Sequence, residues 1–151
     1  MTADRASDRP TLLIVDDEAQ ILSALKRSLR RERYEIIAVE SAAEALQLLG
    51  ERAVDGILTD HKMPGMSGVQ LLERAAELQP SAVRMLITGW TQEIPPERLA
   101  ETGVRALVTK PWDDAKLKAT LRALLEGAPR ASRATAGSGT RDRSSDYSLR
   151  R

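Results

Sequence analysis

Cysteine is missing from this 151-residue chain, and so is phenylalanine. Without Cys, disulfides, thiolate nucleophiles and Cys-based zinc sites are excluded. Without Phe, and with aromatics at only 3%, the core has to be built from Leu, Ile, Val and Ala. No apolar run approaches the roughly 20 residues of a membrane span, and the first ten residues are polar, unlike a secretory signal. A cytoplasmic chain with no membrane association is the expectation. The hydrophobic fraction of 42% and the length suit one globular domain with a sizeable core.

The net charge of +1 hides an asymmetry. Residues 128–151 carry Arg130, Arg133, Arg141, Arg143, Arg150 and Arg151 against Asp142 and Asp146, which is +4 and leaves residues 1–127 at −3. This stretch is Ser, Arg, Gly and Thr with almost no large apolar residue, and reads as a disordered tail or linker. The chain divides into a flexible N-terminus (1–10), a folded domain (11–127) and the tail (128–151).

Within the domain, short apolar or β-branched runs at 12–15, 35–39, 56–59, 84–87 and 106–109 alternate with helical spacing. Ile21, Leu22, Leu25 and Leu29 recur at three- and four-residue steps. Ser41 with Glu44 makes a capping box for a helix over 42–49. A third helix runs over 67–78 and stops at Pro80. The fourth starts at Pro95-Pro96 and is over by Gly103, little more than two turns. The fifth takes Asp113 as N-cap and runs through Leu117, Leu121, Leu124 and Leu125 to Gly127. Five β-α units predict an α/β fold: a flavodoxin-like, doubly wound, five-stranded parallel sheet of order 2-1-3-4-5, with helices on both faces.

Four polar clusters follow the apolar runs. Asp16 and Asp17 follow the first, Asp60 the third, Thr88 the fourth and Lys110 the fifth. On a parallel sheet all would lie at strand carboxyl ends, the edge where open α/β sheets bind ligands. Three carboxylates suit a magnesium ion, which takes oxygen ligands and needs only one or two carboxylates plus a phosphate oxygen. Asp16 and Asp17 can equally cap the helix that begins near Glu18. Asp60 is a candidate nucleophile toward phosphorus, or a plain turn residue before Met63-Pro64-Gly65. Thr88 offers a hydroxyl and Lys110 a positive charge for phosphoryl oxygens; alone they would be a strand Thr and a surface Lys. The Lys110-Pro111 bond is one of the few that can be cis. His61 reads as a solvent-facing loop residue rather than a catalytic one.

Together these residues resemble the receiver domain of bacterial two-component response regulators, over about residues 11–125. The single-domain, chemotaxis-regulator-like members are the nearest match in layout. Asp16 and Asp17 match the family's acidic pair, Asp60 its phosphoacceptor, Thr88 its switch hydroxyl, and Lys110-Pro111 its Lys-Pro pair. The resemblance implies a phosphoryl group donated to Asp60 by a histidine kinase or phosphotransfer protein. It also implies Mg²⁺ held by Asp16, Asp17, Asp60 and the backbone carbonyl of Lys62. The acyl phosphate would draw Thr88 inward, and the face formed by the fourth helix, fifth strand and fifth helix would rearrange. Signalling would then pass to a downstream protein by direct contact, from a monomer or a phosphorylation-dependent dimer. Such a chain catalyses its own phosphorylation and slow dephosphorylation and is not otherwise an enzyme.

Three departures stand out. The position that carries a rotamer-switching aromatic in many receivers is Leu107, so that form of switch is excluded. Trp112, after Pro111, reads as a hydrophobic anchor for the last helix, with a part in the switch region as the alternative. Lys62 and Trp90 hold the positions, two after Asp60 and two after Thr88, that in the family tune water access to the acyl phosphate.

Other functions compete less well. The chain can be the receiver of a larger regulator, with the tail as linker to an output domain, or a binding module that signals unphosphorylated. A phosphatase with an Asp nucleophile typically needs a second acid two residues on, where this chain has Lys62. Nucleic-acid binding through the folded domain is not expected, since no helix-turn-helix pattern is present. The tail, with Tyr147 as its one aromatic, is a weak electrostatic patch for a polyanion or a membrane.

A bulky Trp90 and a cationic Lys62 should hinder in-line attack by water. The phosphorylated chain should therefore decay slowly, and the half-life of the radiolabelled protein measures this. A half-life like those of fast chemotaxis-type receivers would contradict it.

Overall fold

The computed structural model describes residues 9–89 and 94–126. Strands and helices alternate as β1 (Thr11–Val15), α1 (Ala19–Ser28), β2 (Glu35–Val39), α2 (Ala42–Glu51), β3 (Gly56–Asp60) and α3 (Gly68–Leu78). They continue as β4 (Val83–Thr88), α4 (Pro96–Thr102), β5 (Val104–Thr109) and α5 (Asp114–Leu121), which runs into a π-helical turn at Arg122–Glu126. All strand pairs are parallel and the order is β2-β1-β3-β4-β5. This is the flavodoxin-like sheet the sequence predicts. The winding reverses between β1 and β3, so their carboxyl ends flank the crevice of such folds.

Alternation along the strands feeds two cores. Leu13, Val15, Ile57 and Leu86 face one way, against Ala45, Leu49, Val69, Leu72 and Ala75 of α2 and α3. Leu12, Ile14, Leu58, Met85 and Ile87 face the other, against Leu22, Leu25, Leu117, Leu121 and Leu125. Helices on both faces bury the central strands β1 and β3 completely, which is why these strands read as unbroken apolar runs. The edge strands β2 and β5 are only partly covered.

The caps mostly follow the sequence. Ser67 and Gln70 form a reciprocal capping box at α3, and Asp113 accepts from the Lys116 amide at α5. At α2, Ser41 Oγ accepts from the Glu44 amide, but the Glu44 carboxylate reaches past Ser41 to the Glu40 amide, 3.0 Å away. The fourth helix has Pro96 in its first turn and ends at Gly103, whose φ of 79° is left-handed.

Two elements depart from expectation. β5 begins at Val104 rather than 106, because a register shift leaves Arg105 out of the pairing with β4 and breaks the apolar run. The last helix is not regular to its end. Leu117, Leu121 and Leu125 are all buried, and a stripe at four-residue steps drifts around an α-helix; the wider π turn brings Leu125 back over the sheet. Pro10 is buried, and its carbonyl accepts from the Glu35 amide at 2.9 Å.

Gly68 packs the start of α3 onto the end of β3. A Cβ there would collide with the Asp60 carbonyl oxygen and the His61 Cα, whereas one at Gly50 in α2 would meet nothing within 4 Å. Gly68→Ala should lose about 2 kcal/mol of stability, and Gly50→Ala should gain about 0.5 kcal/mol, both measured by urea denaturation.

Candidate functional site

The carboxyl ends of β1, β3, β4 and β5 deliver Asp16, Asp60, Thr88 and Lys110 to one edge. Asp16 is 0% exposed, Asp60 6% and Thr88 2%. Carboxylate oxygens of Asp16, Asp17 and Asp60 all lie within 4.8 Å of one another. Lys110 bridges two of them, with Nζ 3.0 Å from Asp16 Oδ2 and 3.1 Å from Asp60 Oδ1. The capping reading of Asp16 and Asp17 does not hold, because Glu18 is the N-cap of α1 and no side chain caps that helix. Asp16 Oδ1 instead accepts from the Glu18 amide at 2.9 Å, which fixes the turn before α1, while Oδ2 faces Lys110.

Backbone bonds fix the loops that carry these groups. The Lys110 amide donates to the Thr88 carbonyl at 3.1 Å, and the His61 amide to the Ile87 carbonyl at 3.2 Å. The Gly68 amide donates to the His61 carbonyl at 2.8 Å. Thr59 Oγ1 donates to the Asp60 carbonyl at 2.9 Å. The Lys110-Pro111 bond is cis. His61 departs from its expectation: it is half-buried, with Nδ1 buried, because its backbone is tied to both β4 and α3.

The electrostatics follow from packing like charges out of water. Burial pushes the Asp60 carboxyl above its ordinary value and the neighbouring Asp16 charge adds to this, against the opposing hydrogen bond and charge of Lys110. For Lys110, burial works against the charged form, but the hydrogen bonds it donates to Asp16 and Asp60, with their negative charges, prevail and its pKa is raised.

The remaining predicted residues are placed less centrally. The Lys62 side chain is exposed in the loop after β3. Leu107, 38% exposed, lies on β5, and Pro111 is exposed. Trp112 is half-buried against the α1–α5 core, as an anchor should be, but its indole Nε1 also donates to Ser28 Oγ at 3.0 Å. Ser28 escaped the sequence reading: a serine in the last turn of a Lys/Arg-rich helix looks like surface. Trp90 and the tail at 128–151 lie outside the described residues. Among the described residues no helix is long and apolar enough to cross a membrane.

An open parallel sheet with buried carboxylates and a lysine at its carboxyl edge is the architecture of the receiver class of signalling modules. The response regulator receiver domain model matches residues 12–122. The chain belongs to that family, whose members are the signalling modules of two-component systems. Among curated proteins it is 42% identical over 113 residues to the hydrogenase transcriptional regulatory protein HoxA of Bradyrhizobium diazoefficiens, covering 74% of this chain and 23% of that one. It is 36% identical to the transcriptional regulatory protein GlrR of Escherichia coli, covering 78% and 27%. The chain thus spans about a quarter of the length of these relatives. Among solved structures, it resembles the signal receiver domain of an HD domain-containing protein from Pseudomonas fluorescens, at 35% identity and a TM-score of 0.74, covering 80% and 89%. A CheY-like receiver domain protein from Methanospirillum hungatei gives 30% and 0.72, covering 79% and 95%.

The raised Asp60 pKa carries a sign. Its native state holds a proton more tightly than the unfolded chain does, so this group favours the fold at low pH. That contribution is lost as pH rises from the ordinary carboxyl value through the raised one. Asp60→Asn should therefore raise Tm by a few degrees at pH 7, with the gain shrinking toward zero as pH falls below the ordinary carboxyl value. Thermal melts across that range measure this.

Proposed function

We propose that the chain accepts a phosphoryl group on Asp60 from the phosphohistidine of a histidine kinase or phosphotransfer protein. The observation that carries this reading is the Asp60 carboxylate, nearly buried at a strand end and held 3.1 Å from the Lys110 ammonium beside Asp16. A carboxylate oxygen of Asp60 bonds to phosphorus as the phosphorus–nitrogen bond breaks, and the electron pair leaves with the imidazole. Lys110, released from part of its pairing with Asp60, meets the added negative charge, and the Thr88 hydroxyl donates to a phosphoryl oxygen.

The donor set fits a hard divalent cation. It is all oxygen, it carries three carboxylates against one ammonium, and burial, with the neighbouring Asp16 charge, already raises the Asp60 pKa. Asp16, Asp17, Asp60 and the Lys62 carbonyl would hold Mg²⁺. That ion would supply charge neutralisation between the carboxylates and the incoming phosphoryl group. The acceptor chemistry is a self-modification and not a turnover cycle, since Lys62 stands where a general acid or base would be needed.

The new charge at Asp60 biases the α4–β5–α5 face between two arrangements. With Leu107 on β5, the rearrangement proceeds through the Thr88–Lys110 side and not an aromatic rotamer. The output goes to a cytoplasmic protein partner through this face. A second reading, favoured by the length of the curated relatives, makes residues 11–127 the receiver of a larger transcriptional regulator, with 128–151 as its linker.

Incubation with acetyl phosphate should label the wild type in a Mg²⁺-dependent manner and leave Asp60→Asn unlabelled. A folded wild type that takes no label from acetyl phosphate or any phosphohistidine donor would establish a phosphorylation-independent binding module instead.

A further inference from the structure

Beside the phosphorylation edge, α1 and the start of α5 enclose a cleft of about 380 Å³ lined by Ala24, Arg27, Ser28, Pro111, Trp112 and Asp114. A hydrogen-bonded chain spans one wall. Trp112 Nε1 donates to Ser28 Oγ at 3.0 Å, and Ser28 Oγ donates to Asp114 Oδ1 at 2.7 Å. The direction is forced. An indole N–H only donates and a carboxylate only accepts, so the serine hydroxyl is the one group that satisfies both. Each bond polarises the next, and the last ends on a charge. The partners lie 84 and 86 residues from Ser28 in sequence, so the chain closes a tertiary contact.

We infer that Ser28 is a positioning residue for phosphorylation, acting through Trp112 to hold the loop that carries Lys110. This inference rests on Lys110 and Asp60 being the phosphorylation machinery. Lys110 sits between two tethers. On one side its own amide bonds the Thr88 carbonyl. On the other, Trp112 is two residues along and is pinned by its ring packing and by the bond to Ser28. The Lys110 Nζ needs a defined origin to stay within 3.0 Å of Asp16 and 3.1 Å of Asp60. Small displacements of a positioned charge weaken stabilisation of an incoming phosphoryl group. A hydroxyl used only for local helix chemistry would have turned to its own backbone; this one faces a different helix.

Ser28→Ala separates positioning from folding. Alanine is the better helix former, which offsets part of the loss of the two hydrogen bonds, so the variant should stay folded with only a small drop in Tm. The second-order rate constant for labelling by acetyl phosphate should nevertheless fall about fivefold. Ser28→Thr restores a hydroxyl and should recover most of the rate. Trp112→Phe keeps most of the packing but loses the N–H. It should show a similar loss, and the double variant Ser28→Ala/Trp112→Phe should be no slower than the worse single. In a Trp90→Phe background, where Trp112 alone emits, the emission should also shift in Ser28→Ala. Wild-type rates in a folded Ser28→Ala, or losses that multiply in the double variant, would overturn the positioning role while leaving Asp60 as acceptor. Absence of label in the wild type would overturn both readings together.

Discussion

Three carboxylates crowd within 4.8 Å at one edge of the sheet, and one ammonium stands among them. Asp16 and Asp60 are almost wholly withdrawn from water, where like charges repel strongly and desolvation already disfavours ionisation. The Lys110 bridge makes the arrangement tolerable without neutralising it. In the proposed function that residual imbalance is the useful part: an added cation would be favoured there, and it would make room for a phosphoryl anion. A fully paired cluster would have had neither property.

The fold's contribution is to place these groups from separate strands. β1 and β3 are neighbours at the centre of the sheet and carry Asp16 and Asp60 on adjacent strand ends. Lys110 comes from the edge strand β5, with β4 between it and β3. Strands lie roughly 4.8 Å apart, so the two backbones stand about 10 Å from each other, a gap that the long stem of lysine and the shorter one of Asp60 close between them. A reach that long is only as accurate as its origin. This is why the backbone bond from Lys110 to Thr88, the packing of Trp112 and the Trp112–Ser28–Asp114 chain matter to the chemistry although none touches it.

Much of this was legible in the sequence for physical reasons. Central parallel strands are buried on both faces and so announce themselves as apolar runs, and the polar residues ending them mark the functional edge. Helix starts at Ser41, Ser67 and Asp113 were legible because capping is local chemistry. The illegible parts depend on distant partners. The extra length of β5 hides behind the bulge at Arg105, and the π turn answers to the sheet beneath it rather than to its own residues. His61 looked solvent-facing because its ties to β4 and α3 run through backbone atoms. Ser28 gave no signal because its partners lie in another helix and a distant loop.

The central claim is that the acyl phosphate forms on the one carboxylate that Lys110 holds beside Asp16 at the end of β3. Borohydride reduction of the phosphorylated chain converts an aspartyl phosphate to homoserine, which peptide mass spectrometry locates. The account predicts homoserine at position 60 and nowhere else. Homoserine at position 16 or 17, or at another acidic residue with position 60 unchanged, would contradict it.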